Sequence, residues 1–137
     1  MSSDTLPNDL RYTKDHEWAR ISAKDKTVEM TVGITAFAVE QLGDITLVTI
    51  DAKPGDPVTE GKAFGTIESV KTLSDLFAPV SGKIVRINQD LESKPELVNE
   101  DCYGKAWMVV IEPTDPNAGS ALLDPKAYTE QLKAGAH

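Results

Sequence analysis

The sequence predicts a mainly antiparallel β domain, either a β-sandwich or a flattened barrel, with a few short helices. Short runs of apolar and β-branched residues recur along the chain, and glycine and proline residues separate them. The segments between these runs are too short for repeated helical crossovers between parallel strands, which argues against a Rossmann or α/β-barrel enzyme. The 137 residues, of which 40% are hydrophobic, are enough for one domain with a modest core.

Seven segments have the composition and the boundaries of strands. They are residues 18–22, 27–32, 45–50, 64–69, 72–77, 83–88 and 106–112. The polar Lys24-Asp25-Lys26 joins the first two as a hairpin, and Val70-Lys71 forms the tip of a hairpin between the fourth and fifth. Residues 53–56 and 78–82 contain both proline and glycine and are predicted turns.

Three short helices complete the prediction. The first covers residues 35–42, with Thr35 as its N-cap and Gly43 as the glycine that follows its last turn. Ser93 and Glu96 have the spacing of a capping box, which predicts a second helix through Val98. A linker at 113–117 leads to a third helix that begins at 124–125 and ends near residue 135. We therefore predict one domain over residues 1–137, with a core at about 10–112 and a C-terminal linker and helix at 113–137.

The charge balance narrows the classes of partner. Fourteen Lys and Arg against 22 Asp and Glu give a net charge of −8, which argues against a nucleic-acid surface and against docking on an anionic membrane. The first nine residues lack the regions of a signal peptide and are acidic where a mitochondrial transit peptide is arginine-rich. We expect a cytoplasmic protein that meets basic protein surfaces, and a mitochondrial-matrix protein only if a transit peptide has been removed.

Catalytic and metal-binding motifs are lacking in the sequence. The two histidines are His16 and His137, and there is no CxxC, HExxH or calcium-loop pattern and no P-loop. The single cysteine, Cys102, has no local motif of a nucleophile. We predict a protein with no catalytic residues and no metal site, while a thiol enzyme that uses Cys102 and an unmodified interaction module stay open as alternatives.

Lys71 is the residue whose position suggests chemistry. A lysine at a hairpin tip projects from two strands into solvent, where a modifying enzyme can reach its amine. Glu68 and Asp75 flank it with a distinctive charge pattern. Acylation would remove the charge of Lys71 and mount a long flexible arm on a fixed base.

Motifs along almost the whole chain resemble those of the glycine cleavage system H-protein family. Around Lys71, residues 68–71, 74–75 and 79–82 resemble the lipoyl-attachment site of that family. Other matching segments, from the opening RYTKDHEW to the later half, are residues 11–18, 32–35, 40–44, 95–101, 103–104 and 107. The resemblance implies two antiparallel sheets in a hybrid barrel-sandwich of the lipoyl/biotinyl type, with the lysine hairpin at one end.

The same resemblance implies a non-catalytic carrier with lipoate attached by an amide to Lys71. Glu68, Ser69, Val70 and Asp75 would form the modification motif, and Glu17 and Asp75 would line a cleft where the loaded arm docks. In that family the arm takes the aminomethyl group of glycine from a pyridoxal-phosphate glycine decarboxylase to a tetrahydrofolate-dependent aminomethyltransferase. Dihydrolipoamide dehydrogenase then reoxidises the arm, and a separate lipoate-attaching enzyme installs it. We expect a monomer.

Two positions depart from the family pattern, and two related carriers are rivals. Ala36 stands where many relatives have an acidic residue, and Asp15 stands where some have serine, so the details of arm docking stay open. A biotinyl carrier normally brackets its lysine with methionines, whereas Val70 and Thr72 occupy those places here. A lipoyl domain of an oxoacid dehydrogenase is usually shorter. A lipoyl or octanoyl relay to other acceptors is the alternative function.

Overall fold

The computed structural model describes Pro7 and residues 9–24 and 27–135, which form two antiparallel β-sheets. Nine strands are present in these residues. They are β1 Arg11–Tyr12, β2 Glu17–Lys24, β3 Thr27–Ile34, β4 Ile45–Ile50, β5 Pro57–Val58, β6 Ala63–Ser69, β7 Leu73–Phe77, β8 Gly82–Ile87 and β9 Val109–Pro113. The larger sheet has the order β1-β2-β3-β9-β8-β5, and the smaller has the order β4-β6-β7.

Four α-helices and one 3₁₀ turn connect or cover the sheets in the described part of the chain. The helices are α1 Ala36–Leu42, α2 Asp90–Ser93, α3 Leu97–Glu100 and α4 Pro125–Gly135, and the 3₁₀ turn is Ala118–Ala121. None of the helices in these residues has the length and apolar composition needed to cross a membrane.

The predicted hairpins and the predicted first helix are confirmed. Strands β2 and β3 pair from Glu17 with Ile34 to Lys24 with Thr27, although Asp25 and Lys26 of the predicted turn lie outside the described residues. The Thr35 hydroxyl accepts a hydrogen bond from the Ala38 N–H and caps α1. Gly43 ends α1 with φ at 82°, a conformation that favours glycine.

The prediction of a capping box at Ser93 and Glu96 is wrong. Ser93 is the last residue of α2, and its hydroxyl donates back to the carbonyl of Asp90 at 3.3 Å. Helix α3 begins after Glu96, whose side chain makes no capping hydrogen bond. The serine therefore closes one short helix instead of opening the next.

Strand β9 begins three residues later than the predicted 106–112. The N–H of Ala106 donates to Asp101 and that of Trp107 donates to Gly104, so both belong to a turn. At the other end, β9 includes Pro113, which was predicted to begin the linker. The start of the terminal helix is as predicted, because Asp124 accepts from the Ala127 N–H at 2.8 Å.

Two clusters of buried side chains hold the fold together. An aliphatic core lies between the sheets and includes Val32, Val48, Ile67 and Ile111. The second is an aromatic cluster, which we define as Leu10, Tyr12, Trp18, Tyr128 and Leu132. It fixes α4 against β1 and β2, and the site described next lies beside both clusters.

Candidate functional site: the lysine hairpin and its groove

The hairpin between β6 and β7 holds Lys71 at its tip. The Ser69 N–H donates to the carbonyl of Thr72 at 2.8 Å, which closes the turn. The Ser69 hydroxyl accepts from the N–H groups of Lys71 and Thr72, both at 3.1 Å. Ser69 is only 6% exposed, whereas Lys71 is exposed. A buried serine therefore fixes the backbone on which the exposed lysine stands.

The tip is also tied to the loop that follows α1. The Val70 N–H donates to the carbonyl of Asp44 at 3.0 Å. The side chain of Lys71 lies against Gly43, where an added Cβ would be 3.3 Å from the lysine Cε. Asn99 on α3 clamps the same loop, since its amide oxygen accepts from the Ile45 N–H and its amide nitrogen donates to the Gly43 carbonyl.

A groove of about 180 Å³ lies between α1, β2 and β7. Its lining combines apolar and acidic side chains. These are Asp15, His16, Glu17, Ile34, Ala38, Gln41, Leu42, Ile67, Ser74, Asp75 and Leu76. The groove begins near the tip, because Leu42 in its wall directly precedes Gly43, on which Lys71 lies. An arm attached to Lys71 would therefore reach it along the end of α1.

Glu17 is the most buried acidic group in the groove, at 3% exposure. The Phe77 N–H donates to its Oε2 at 2.7 Å, while its Oε1 is buried and has no hydrogen-bond partner among the described residues. Burial raises the pKa of Glu17 to about 8, although the Phe77 hydrogen bond acts in the opposite direction and Asp15 raises it further. A cationic ligand in the groove would favour the ionised carboxylate and could donate a hydrogen bond to this oxygen.

A hydroxyl group from α4 forms hydrogen bonds to His16, which lines the groove, and to Thr35. The Tyr128 hydroxyl lies 2.8 Å from His16 Nδ1 and 2.9 Å from Thr35 Oγ1. Burial lowers the pKa of His16, although Asp15 acts against this, so the imidazole is favoured in its neutral form. Sequence reasoning missed this network and Asn99, because the partners of each lie far apart along the chain.

The structure brings Glu17 and Asp75 into one groove and places the other predicted site residues on the adjoining hairpin. Glu68, Val70, Lys71 and Asp75 are exposed, and Ser69 is buried. Asp15 also lines the groove, whereas the N–H of Ala36 donates to the Tyr103 hydroxyl at 3.0 Å. The functional roles assigned to these residues stay predictions.

The alternative reading of Cys102 as a nucleophile gains no support. The thiol is partly buried, and burial raises its pKa to about 11, so it is protonated at neutral pH. Among the described residues, no group of three or more His, Cys, Asp and Glu side chains is arranged to hold a metal ion.

Two antiparallel sheets with Lys71 exposed on one hairpin are the arrangement expected of a barrel-sandwich domain of the lipoyl/biotinyl type. Comparisons with known proteins identify the family. The model of the family described as glycine cleavage H-protein matches residues 10–135. The chain belongs to this family.

Individual relatives agree with that assignment. The chain is 50% identical to a glycine cleavage system H protein of Anaeromyxobacter sp. (strain K), over 90% of this chain and 92% of that protein. It is 46% identical to the one of Myxococcus xanthus, over 96% and 98% of the two chains. A crystal structure of a glycine cleavage system H protein from Mycobacterium marinum superposes with a TM-score of 0.83 at 39% identity, covering 93% of this chain and 99% of that one. The chain is therefore a carrier component of the glycine cleavage system.

Proposed function

We propose that Lys71 carries lipoate through an amide bond and that the protein moves the aminomethyl group of glycine between the enzymes of the glycine cleavage system. The observation that carries the proposal is an exposed lysine on a rigid hairpin tip beside an acid-lined groove. Bound lipoate supplies a disulfide that accepts the aminomethyl group as it is reduced. Its donor would be a pyridoxal-phosphate glycine decarboxylase, and its acceptor a tetrahydrofolate-dependent aminomethyltransferase.

The residues present fit such an arm. The side chain of Lys71 lies on Gly43, which offers no side chain of its own, so the start of the arm has an open path beside α1. Within the groove, the unpaired Oε1 of Glu17 would accept a hydrogen bond from the amine of the cargo. Asp75, exposed on β7, adds negative charge for that protonated amine.

The proposed role is that of a non-catalytic carrier. It requires no nucleophile on the protein, and the protonated thiol of Cys102 is consistent with this. Dihydrolipoamide dehydrogenase would reoxidise the arm, a lipoate-attaching enzyme would install it, and the protein would act as a monomer in the cytoplasm. The names of the relatives favour the shuttle over the lipoyl relay, because each is named for glycine cleavage.

Intact-mass analysis of the protein from lipoate-replete cells tests the proposal. We expect the mass increment of one lipoyl group, located at Lys71 by peptide mapping. Lys71→Arg should lack it, while the matched variant of another exposed lysine, Lys62→Arg, should retain it. The Lys71 variant should also fail to support glycine–bicarbonate exchange with the decarboxylase. An unmodified Lys71, or a biotin increment on it, would overturn the proposal.

A further inference from the structure

A second cavity shares two acidic residues with the groove. Asp15 and Glu17 line both cavities, and the second has a volume of about 360 Å³, against about 180 Å³ for the groove. This volume is in the range of ligand pockets, about 300–1,000 Å³. Its other walls come from the turn before β6 and from the segment that precedes α4. We call this cavity the C-terminal pocket and define it by Asp15, Glu17, Glu60, Ala121, Leu123 and Gln131.

Hydrogen bonds between segments that are distant in sequence fix the walls of the C-terminal pocket. Tyr12 and Leu123 each donate a backbone N–H to the carbonyl of the other, both at 2.8 Å. The side-chain amide of Gln131 on α4 donates to the carbonyl of Lys14 at 3.2 Å. The pocket is therefore formed before any ligand arrives.

The chemistry of the C-terminal pocket suits a cation. Asp15 and Glu60 place exposed carboxylates at its rim, whereas Glu17 is only 3% exposed and its Oε1 has no hydrogen-bond partner among the described residues. Lys14 also lines the pocket, but it is exposed and can extend its ammonium group into water. A long basic side chain entering from solvent would meet the two rim carboxylates first and the carboxyl group of Glu17 below them.

Glu17 couples the C-terminal pocket to the groove, because one carboxyl group serves both cavities. Its Oε2 is occupied by the Phe77 N–H at 2.7 Å, so only Oε1 is left for a ligand. A cation in the pocket and the protonated amine of the cargo in the groove would compete for this oxygen and would repel each other. Occupation of the pocket therefore weakens the attraction of the groove for the loaded arm.

This competition indicates which enzyme uses the pocket. The decarboxylase loads the arm and needs Glu17 to be available for the cargo, whereas the aminomethyltransferase needs the loaded arm to leave the groove. The net charge of −8 favours partners with basic surfaces. We propose that the C-terminal pocket receives a lysine or arginine side chain of the aminomethyltransferase, and that its entry releases the loaded arm. This inference rests on the carrier function proposed above.

A small mimic of an arginine side chain tests the release step without an enzyme. We expect n-propylguanidinium to shorten the lifetime of the aminomethyl adduct on the loaded protein by about threefold, and the neutral n-propylurea at equal ionic strength to leave it unchanged. Ala121→Phe, which fills the pocket with an uncharged ring, should abolish the effect of n-propylguanidinium. Ala127→Phe, at an exposed position on α4, should retain it.

Transfer kinetics test the docking step with the aminomethyltransferase and tetrahydrofolate. Ala121→Phe should lower kcat/KM for the loaded protein about tenfold, and Glu60→Gln should raise KM about threefold. Ala127→Phe and Glu92→Gln, which removes an equal charge from α2, should change these values by less than about twofold. Glu60 is exposed, so its variant keeps the test valid if Ala121→Phe lowers stability.

The possible failures are distinguishable. If wild-type Lys71 is not lipoylated, the proposed function itself fails. If the wild-type protein is lipoylated and transfers its cargo, but both pocket variants do so at the rates of their controls, the docking inference is wrong. An effect of n-propylguanidinium together with normal transfer by the variants would mean that the pocket binds small cations only. Normal transfer with impaired glycine–bicarbonate exchange would assign the pocket to the decarboxylase, and either result would overturn the proposal.

Discussion

The hairpin tip and the aromatic cluster are both needed for the site, but different forces hold them. At the tip, Val70 and Leu73 are mostly exposed, and backbone hydrogen bonds with one buried serine fix the turn. In the aromatic cluster, Trp18, Tyr12 and Tyr128 are fully buried, and the two tyrosine rings stack with centroids 4.7 Å apart. Substitutions at the tip should therefore affect what the protein binds, while those in the cluster should affect whether it folds.

The largest expected effect is that of Trp18→Ala. Trp18 packs on Gly33, where even a Cβ would approach the indole ring to 2.5 Å, and its Nε1 donates to the carbonyl of Cys102 at 2.9 Å. Loss of the ring should lower the free energy of unfolding by about 3–5 kcal/mol. Urea titration followed by circular dichroism measures it. Val70→Ser at the tip is the control, and its free energy of unfolding should change by no more than about 0.5 kcal/mol. Similar losses of stability in both variants would show that the tip and the aromatic cluster do not differ in this way.

Glu17 lies between the two regions, and its protonation gives the next largest effect. Its pKa is raised from 4.5 to about 8 in the folded protein, so the folded state binds more protons than the unfolded state between these values. The stability contributed by the protonated form is complete below pH 4.5 and is lost as the pH rises through about 8. The size of the pKa shift sets an upper limit of about 5 kcal/mol on this loss.

Glu17→Gln isolates this contribution. Glutamine keeps an oxygen that can accept from the Phe77 N–H but cannot ionise. Urea titrations of both proteins from pH 4.5 to 8.5 should show that the difference in stability, variant minus wild type, grows with pH. A difference that is constant across this range would show that folding does not raise the pKa of Glu17.

The local features of the tip could be predicted from the sequence, because they depend on neighbours in the chain. Proline and glycine punctuate the segment from 61 to 82, and two strand-forming runs leave only Val70-Lys71 between them. The cap of α1 by Thr35 is equally local. The error at Ser93 has the same origin, since an S-x-x-E spacing cannot show that a preceding helix already uses the serine.

The groove could not be predicted from neighbouring residues in the chain. Tyr128 and His16 are 112 residues apart, and Asn99 is 54 residues from the Ile45 N–H that it binds. The resemblance to the family supplied Glu17 and Asp75 as a pair, but the burial that shifts the pKa of Glu17 comes from packing between sheets.

The smallest effect, and the sharpest test of the comparison, is that of Tyr128→Phe. Phenylalanine preserves the stacking on Tyr12 and removes only the hydroxyl that bridges Thr35 and His16. The Tyr128 hydroxyl has one proton, so it can donate to only one of these two partners. If it donates to Nδ1 of His16, the Thr35 hydroxyl, which also accepts from the Ala38 N–H, donates to Tyr128. The variant removes one hydrogen bond from the buried Thr35 hydroxyl and one from the half-buried ring of His16, and it should lose about 1–2 kcal/mol of stability.

Tyr103→Phe is the matched control, because the Tyr103 hydroxyl is half-buried and accepts one hydrogen bond from the N–H of Ala36 at the same end of α1. It should lose less, about 0.5–1 kcal/mol. In NMR spectra Tyr128→Phe should shift the His16 ring signals and leave the amide signals of Lys71 and Thr72 unchanged, because Ser69 holds the tip independently. Shifts of equal size at the tip would mean that the aromatic cluster also sets the position of the lysine, and the two regions would then be one structural unit.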